Sequence, residues 1–527
     1  MKRIPLLWLA LVVPVLLGAR AFLPPTMGWS SWNTFALDIN EAVIRSQADA
    51  MVKTGLARAG YRYVNIDDGY WDGRASDGSL RLNDSLFPSG MRSLVDYIHS
   101  LDLLAGIYSD AGDNTCGSGN TASWGLGVGL AGYEERDCRL YFDDWDFDFI
   151  KVDYCGGAHM KLDEQEQYTK IARAIRSCHK QGIVYNVCRW AYPGAWVTGV
   201  ADSWRTTGDI YCDWSSVKSI ILENLYLQAF TFGGHYNDAD MLEIGRTLSP
   251  DEEITHMAYW CIMSSPLLIG CDMTQIPEFS LNLLKNADLI AMNQDSLGIG
   301  APVVQRWDEV YVVAKDMERV HGPKRAVVAM NLSDSEQSVT LDLSALEYTG
   351  EVRLYDCLSH TPLSEPVTAA YTLTLPAHGS AAYFLEGVRS DKTLYQAEEA
   401  YLRSYTEISD STPLFLQSPT ASLGAYVGGL GSSADNYLEW RDVYSTSGGS
   451  YTLTLTYASS SDGSLSVSVN DSDPVTLQTP STGDNASTWR TAALTVTLKA
   501  GTNTIRVSNP SAPVASLDCM ALTPVGA

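Results

Sequence analysis

Two patterns of apolar residues alternate along the first three hundred positions of the chain. Apolar residues recur three and four positions apart, the period of an amphipathic helix, in segments 40–60, 91–103 and 166–182. Short apolar runs typical of strands buried on both faces lie at 61–68, 103–110, 145–153, 183–190, 202–209 and 235–242. The alternation favours a (β/α)8 barrel over residues 22–300, with a doubly wound open sheet as the alternative.

The pattern changes twice after the barrel. Short alternating runs without helical period predict an antiparallel β domain over 301–388; they lie at 309–316, 324–333, 338–344 and 380–387. A polar linker then leads into a region, 393–527, that is rich in Ser, Thr and Gly. Its alternating runs predict a β-sandwich.

The first 21 residues have the order of a signal peptide. Lys2 and Arg3 precede an apolar core, and Ala19-Arg20-Ala21 matches a cleavage site. An uncleaved anchor is the alternative, but the core is short for a membrane-spanning helix. The sequence therefore predicts an exported protein, extracellular or periplasmic, with no membrane span once the signal is removed.

The charge of the chain indicates the class of ligand, and its cysteines and histidines indicate which disulfides and metal sites to expect. A formal net charge of −26 and a pI of about 4.6 argue against nucleic acid and favour a neutral ligand. The chain has ten cysteines, which an exported protein can use as clips. Cys116 and Cys155 follow neighbouring strands and could pair, and Cys188 and Cys212 could do likewise. The histidines form neither an HxH nor an HExxH pair, and CxxC is absent, so a metal in the barrel is not expected.

Carboxylates stand at the ends of several predicted strands, where barrel enzymes hold their catalytic groups. In order along the chain they are Asp67, Asp68, Asp110, Asp153, Asp209, Asp238 and Asp240. A buried carboxylate is costly unless a charge compensates it. Lys151 lies two residues before Asp153, on the same side of the pleat, and is expected to keep Asp153 ionised. The sequence predicts an active site at this end of the barrel.

Several blocks in this region resemble glycoside hydrolase family 27, the α-galactosidase and α-N-acetylgalactosaminidase family. In the family's order they are MGWSSWN (27–33), NIDDGY (65–70), GIYSD (106–110), KVDYC (151–155), WRTTGDI (204–210), YNDADML (236–242), SSPLLIG (264–270) and NQD (293–295). The resemblance implies a retaining exo-glycosidase acting on terminal α-galactosides of oligo- or polysaccharides. It makes Asp153 the nucleophile and Asp209 the general acid and base, with no cofactor for catalysis.

The same resemblance implies the sugar contacts. Asp67 and Asp68 would accept hydrogen bonds from the 4- and 6-hydroxyls, and Lys151 would approach the 3- and 4-hydroxyls. Trp29 would pack under the apolar face of the ring, with a place in the core as the alternative. Further predicted contacts are Tyr108, Arg205, Asp240 and Met241. Arg205, four residues before Asp209, could instead be a structural ion-pair partner.

One loop departs from the family. After Cys188, α-galactosidases carry Glu and their N-acetylgalactosaminidase relatives carry Ser, with Ala three positions on; this chain has Arg189 and Tyr192. Arg189 can only donate hydrogen bonds, so it would donate to the 2-hydroxyl if it points into the pocket; the alternative is a loop of another shape, which Arg189 supports without contacting the sugar. Tyr192 would leave no room for an acetamido group if the loop follows the family. α-Galactosidase is the expected activity, and α-N-acetylgalactosaminidase, β-L-arabinopyranosidase and a non-catalytic sugar-binding protein are the alternatives.

The last region, 393–527, resembles carbohydrate-binding modules of families 6 and 35. The matching blocks include YQAEEA (395–400) and LKAGTNTIRV (498–507). Such modules hold a structural Ca²⁺ with oxygen ligands, and Glu398 and Asp518 match in position. Ordinary edge-strand charges are the alternative. Tyr426 and Trp489 are candidate sugar platforms.

Overall fold

The computed structural model describes residues 23–119, 125–407, 414–431, 433–509 and 515–526. The predicted signal peptide, 1–21, lies outside the described residues. Among the helices that are described, none combines the length and the apolar character that crossing a membrane requires.

Eight parallel strands form the barrel. They are β1 (Met27–Ser30), β2 (Tyr63–Asn65), β3 (Leu104–Asp110), β4 (Phe149–Asp153), β5 (Val184–Val187), β6 (Ser203–Arg205), β7 (Tyr236–Asp238) and β8 (Leu267–Ile269). Their order in the sheet is β8-β1-β2-β3-β4-β5-β6-β7, and a parallel bridge between Leu242 and Ile269 joins its two ends. The predicted (β/α)8 barrel is confirmed.

Helices connect the strands. The longer ones are α1 (Glu41–Lys53), α2 (Met91–Ser100), α3 (Glu164–Ser177), α4 (Trp214–Asn224), α5 (Pro250–Ile262), α6 (Glu278–Leu284) and α7 (Ala287–Asn293). Capping residues fix where they begin. The Asn40 side chain accepts from the Val43 amide at the start of α1, and Ser249 forms a capping box with Glu252 before α5.

Strand β4 is shorter than the sequence indicates. The sequence predicts one strand over residues 145–153, but the strand begins only at Phe149. It follows a π-helical turn at residues 140–144. Asp146 adopts a left-handed backbone with φ of 72°, which a strand cannot contain. Its carboxylate lies 2.6 Å from the Lys180 ammonium, and this ion pair helps to hold the turn.

The β domain follows the barrel directly. Its strands are β9 (Val303–Trp307), β10 (Val310–Asp316), β11 (Lys324–Asn331), β12 (Gln337–Asp342), β13 (Tyr348–Asp356), β14 (Thr361–Pro362), β15 (Ala370–Leu375) and β16 (Ser380–Arg389). Six form an antiparallel sheet in the order β9-β10-β11-β16-β13-β14, and β12 pairs with β15. Helix α5 of the barrel is joined to this domain by the Thr255 hydroxyl, which donates to the His378 carbonyl.

The C-terminal module is a β-sandwich. Its strands are β17 (Leu394–Gln396), β18 (Tyr401–Leu402), β19 (Leu414–Gln417), β20 (Ala425–Leu430), β21 (Ser433–Ser445), β22 (Gly449–Ala458), β23 (Gly463–Val469), β24 (Val475–Thr479), β25 (Arg490–Leu498), β26 (Gly501–Asn509) and β27 (Ala515–Pro524). One sheet has the order β19-β20-β27-β22-β25, with β17 paired to β27; the other has the order β18-β21-β26-β23-β24. Buried Trp440 lies in the core and donates to the Gln396 carbonyl.

The module also packs against the barrel. The Arg441 guanidinium lies 3.5 Å from the centre of the Tyr401 ring and 4.8 Å from that of Phe232, which belongs to the barrel. The Gln228 side chain donates to the Glu398 carbonyl across the same boundary. The sandwich is therefore docked on the barrel.

Glycines and one carboxylate join the loops after β3 and β4. A Cβ on Gly112 would lie 1.9 Å from the Gly156 carbonyl carbon, so the two backbones touch only because both residues lack side chains. Asp110, at the end of β3, accepts the amide hydrogens of Gly112, Gly156 and Gly157 on one oxygen. Burial raises the pKa of Asp110 to about 8.

This raised pKa predicts a pH effect on stability. In the unfolded chain an Asp titrates near pH ~4, so between about pH 4 and about pH 8 the folded protein keeps a proton that the unfolded chain has released. Raising the pH therefore favours unfolding in that window, by on the order of a few kcal/mol, and has no further effect above it. Asp110→Asn retains the accepting oxygen and removes the titration.

The measurement is the melting temperature by calorimetry across this pH window. We expect the advantage of Asp110→Asn over the wild type to grow as the pH rises. Asp96→Asn, which removes a carboxyl on the exposed face of α2, is the control. A difference between Asp110→Asn and the wild type that stays constant with pH would contradict the assignment.

Candidate active site

Asp153 closes β4 at the mouth of the barrel. Its Oδ2 accepts a 2.8 Å hydrogen bond from the Tyr108 hydroxyl, and its Oδ1 lies 3.8 Å from the Lys151 ammonium. Burial raises the pKa of Asp153, and Lys151 acts in the opposite direction without cancelling it. Lys151 therefore favours the ionised form of Asp153, as expected, but burial favours the protonated form more strongly.

Lys151 is shared between two carboxylates. Its Nζ also donates to Asp67 Oδ2 at 3.3 Å. Burial alone would lower the pKa of Lys151, but the charges of Asp153 and Asp67 outweigh it and raise that pKa well above the usual value. Lys151 is a fixed cation between the ends of β2 and β4.

Arg205 plays the same part on the opposite side of the barrel. This buried guanidinium lies 2.7 Å from Asp240 Oδ2 and 3.2 Å from Asp209 Oδ1, and it also donates to the carbonyls of Thr207 and Gly208. Burial raises the pKa of Asp240 to about 6, although Arg205 opposes the shift. Asp209 differs from these residues because its side chain is 63% exposed.

One cavity brings most of the predicted residues together. It has a volume of about 490 Å³ and opens at the carboxyl ends of the strands. The predicted residues that line it are Asp67, Tyr108, Cys116, Lys151, Asp153, Cys155, Arg205, Asp209, Asp240 and Met241. A cavity lined by carboxylates, cations and aromatic rings suits a polar ligand of the size of a sugar.

Three predicted contacts do not line this cavity. Trp29 is fully buried, and its indole N–H donates to the Cys271 carbonyl. Asp68 accepts from the Trp71 indole and the Gly117 amide, and burial raises its pKa to about 7. Arg189 forms an ion pair with Glu164 at the start of α3. All three side chains are engaged by the protein itself.

The cavity also contains residues that sequence reasoning missed. They are Trp32, Asn33, Ala36, Trp190, Ile210, Tyr211, Cys212 and Arg246. Trp32 could have been found, because it belongs to the same MGWSSWN block as Trp29 and stands just beyond the end of β1, where barrels carry functional groups. Trp190 could not have been found, although it lies two residues after Cys188, because its side chain reaches the cavity from a backbone with φ of 62°. This left-handed turn has no signal in the sequence, since bulky residues rarely adopt it.

Tyr192 does not crowd the cavity as expected. Its ring is fully buried, 4.3 Å from the centre of Phe230 and 5.7 Å from that of Tyr405 in the C-terminal module. The loop after β5 therefore takes a different course from the one the resemblance implies. Tyr192 therefore does not exclude an acetamido group from the cavity.

A disulfide links Cys116 to Cys155, with the two Cα atoms 5.2 Å apart. It ties the loops after β3 and β4 together beside Asp153. The other suggested pairing is not formed, because Cys188 and Cys212 are both free thiols. Cys188 is buried at the end of β5, whereas Cys212 lies 3.1 Å from the Thr247 hydroxyl, which donates to it.

Glu398 and Asp518 are buried carboxylates of the C-terminal module. Glu398 is 3% exposed, and its Oε2 has no hydrogen-bond partner among the described residues. Burial raises its pKa well above the usual value, and the charges of Glu399 and Asp518 add to the effect. Asp518 accepts the Ser422 amide hydrogen on one oxygen. An unpartnered carboxylate oxygen near a second carboxylate fits a hard cation such as Ca²⁺.

Comparison with known proteins agrees with this geometry. The family model described as alpha galactosidase A matches residues 24–295, and that of carbohydrate binding module family 6 matches residues 417–524. An alpha-galactosidase of Cyamopsis tetragonoloba is 36% identical over 367 residues, which cover 68% of this chain and 86% of that protein. An alpha-galactosidase A of Cellvibrio japonicus is 36% identical over 64% of this chain and 83% of its own length.

Solved structures agree as well. That of alpha-galactosidase I from Mortierella vinacea superimposes with a TM-score of 0.66 at 27% identity, covering 71% of this chain and all of that one. The resemblance to family 27 and to a family 6 module is thereby confirmed. Since the first model matches more than half of the chain and the Cyamopsis protein is matched over most of its length, the chain belongs to the alpha galactosidase A family.

Proposed function

We propose that this protein is an exo-acting α-galactosidase that removes terminal α-D-galactosyl residues from oligo- or polysaccharides with retention of configuration. The observation that carries the proposal is that Asp153 and Asp209 line one cavity, each beside its own cation. Relatives that are 36–39% identical bear the name alpha-galactosidase, which supports the same substrate class.

Retention requires two displacements and no cofactor. In the first, Asp153 attacks the anomeric carbon while Asp209 protonates the leaving oxygen, and the glycosidic bond breaks; in the second, water attacks the same carbon while Asp209 takes its proton, and the bond to Asp153 breaks. The Tyr108 hydroxyl fixes one oxygen of Asp153 and leaves Oδ1, on the side of Lys151, to attack. The exposure of Asp209 suits a group that must meet both a leaving group and water.

Arg205 is the positioning residue for Asp209. Its guanidinium lies 3.2 Å from Asp209 Oδ1 and orients this carboxyl in the cavity. Asp240 lies closer to the same guanidinium, at 2.7 Å, and shares its charge. The ion-pair alternative for Arg205 is the one this arrangement favours.

The sugar is held from two sides of the cavity. Asp67 and Lys151 offer an acceptor and a donor to neighbouring hydroxyls. Trp32, in place of Trp29, is the aromatic surface for the apolar face of the ring, because it lines the cavity whereas Trp29 is buried in the core. Asp68 supports the site from behind through Trp71 and Gly117.

Two further parts of the proposal lie outside the barrel. The C-terminal module binds carbohydrate, and its candidate platform is the partly exposed Trp489, whose ring packs edge-to-face at 5.4 Å against the buried Tyr426. Glu398 and Asp518 hold a structural Ca²⁺ in this module. The protein is exported, as residues 1–21 indicate.

A panel of nitrophenyl glycosides tests the activity. We expect hydrolysis of the α-galactoside, with much slower turnover of the N-acetyl-α-galactosaminide and the β-L-arabinopyranoside. Proton NMR should show α-galactose as the first product. A preference for either of the other two sugars, or a first product of inverted configuration, would overturn this assignment.

Variants of the two carboxylates test their roles. Asp153→Asn should abolish turnover and keep the wild-type melting temperature. Asp209→Gly should still form the glycosyl-enzyme from an aryl galactoside, because such leaving groups need little protonation, and azide should release α-galactosyl azide from it. Asp96→Asn is the control for the loss of a carboxylate far from the cavity. Near wild-type activity of Asp153→Asn, or no azide product from Asp209→Gly, would show that the groups lie elsewhere.

Arg189 gives a separate test of the 2-position. Because Arg189 pairs with Glu164 and does not line the cavity, Arg189→Ala should reduce kcat/KM by the same factor on a galactoside and on its 2-deoxy analogue. Glu164→Gln, which weakens the same pair, should behave alike. A direct bond to the 2-hydroxyl would instead cost about one to two decades on the galactoside alone. That result would restore Arg189 as a sugar contact.

Calcium removal tests the module. In the full-length protein a chelator should lower the melting temperature of the module, since a ligand at a hundred times its Kd stabilises the folded state by about 2.7 kcal/mol. Glu398→Gln should melt at a lower temperature than the wild type in calcium and should not respond to the chelator. Elemental analysis of the wild type without bound calcium, together with an unchanged melting curve, would contradict this part.

A further inference from the structure

The loop after β5, residues 189–196, is bound to the C-terminal module through its backbone. The Tyr192 amide donates a 2.6 Å hydrogen bond to a carboxylate oxygen of Glu407, and the Glu407 amide donates to the Tyr192 carbonyl at 3.0 Å. The Thr406 hydroxyl donates to the Pro193 carbonyl at 3.1 Å. We call this loop the β5 loop. Three hydrogen bonds to the backbone of the loop therefore hold it against the module.

Aromatic packing reinforces these bonds. The fully buried Tyr192 ring stacks on Tyr405 of the module at an angle of 15° and lies against Phe230 of the barrel. The Tyr405 hydroxyl donates to the second oxygen of Glu407 at 2.8 Å, so the carboxylate bridges the ring and the loop. Tyr192, Tyr405 and Glu407 form one unit, which we call the module clamp.

The clamp lies two residues from the wall of the active site. Trp190 lines the cavity that holds Asp153 and Asp209, and its φ of 62° is in the left-handed region that bulky residues avoid. Such a conformation persists only where the surroundings enforce it. On one side of Trp190 the Arg189–Glu164 pair fixes the chain to the barrel, and on the other side the module clamp fixes it to the sandwich.

We propose that the C-terminal module is a working part of the active site, because its clamp on the β5 loop holds Trp190 in the cavity wall and so sets the affinity for the α-galactoside. Trp190 is the residue of the cavity wall that contacts the sugar, and Tyr192, Tyr405 and Glu407 are positioning residues. The substrate named here rests on the proposed function. The clamp itself does not.

This role differs from that of a tethered sugar-binding module. Domains joined by small polar contacts usually move relative to one another. Here a buried tyrosine joins the module to the loop that follows Cys188, together with one hydrogen bond between backbones and one from the Tyr192 amide to the Glu407 carboxylate. The residues that depart from the family, Arg189 and Tyr192, are the two that anchor this loop, so the departure changes how the wall is held.

The kinetic test uses the full chain. Glu407→Ala should raise KM for an aryl α-galactoside about tenfold and change kcat by less than about threefold, because one charged hydrogen bond to the loop is lost while Asp153 and Asp209 keep their places. Glu407→Gln, which keeps an accepting oxygen, should restore most of the affinity. Arg306→Gln is the control, since Arg306 donates to Leu423 of the module away from the β5 loop.

A double mutant shows whether the effect passes through Trp190. Trp190→Ala should raise KM by itself, and adding Glu407→Ala should raise it no further. If the two changes multiply, or if Glu407→Ala lowers only the melting temperature and leaves KM unchanged, the module does not act on the site and the proposal fails.

Hydrogen exchange tests the clamp without catalysis. The peptide 189–196 should exchange at least about tenfold faster in Glu407→Ala than in the wild type, and Arg306→Gln should leave it unchanged. Unchanged exchange in Glu407→Ala would overturn the proposal whatever the enzyme hydrolyses. A wild type that cleaves no α-galactoside would overturn the proposed function, and faster exchange of this peptide would then still support the clamp.

Discussion

Two cations, the buried Arg205 and the partly buried Lys151, make the mouth of the barrel possible. A carboxylate taken out of water is costly unless an opposite charge and hydrogen bonds replace its hydration. Lys151 serves Asp67 and Asp153, and Arg205 serves Asp209 and Asp240. Each cation is shared between two acids that come from different strands. The positions of the reacting groups therefore depend on the closure of the barrel and on no single loop.

The division of labour between the two acids follows from their surroundings. Asp153 is enclosed, receives a hydrogen bond from Tyr108 and lies beside a fixed ammonium, which suits a nucleophile aimed at one carbon. Asp209 shares its cation with a closer competitor and remains open to solvent, which suits a group that gives and takes a proton. The two environments differ because Lys151 lies beside an enclosed carboxylate, whereas Arg205 lies closer to Asp240 than to the exposed Asp209.

Local patterns predicted what depends on local chemistry. The helices, the strands and the carboxylates at strand ends could be predicted because period, capping residues and motif order lie within a few positions of one another. The start of β4 was missed because the left-handed turn at Asp146 is held by Lys180, 34 positions away. Trp29 and Trp32 lie in one motif, and only the end of β1 between them decides which one faces the cavity.

The loop after β5 could not be predicted for the same reason, on a larger scale. Arg189 and Tyr192 are read as pocket residues when only the barrel motif is considered. Their partners are Glu164 on α3 and a residue of a different domain, and neither leaves a trace in the neighbouring sequence. A residue that departs from a family motif can thus reflect a new contact within the protein and need not reflect a new ligand.

The distance along the chain between Tyr192 and Glu407 also affects how the protein is made. The two residues are 215 positions apart, and domains usually fold in the order in which the ribosome produces them. The barrel can close while the sandwich is still being synthesised, but the loop after β5 gains its last partners only when the C-terminal domain has folded and docked. A nascent or truncated chain would therefore contain the reacting acids before it contained the finished wall around them.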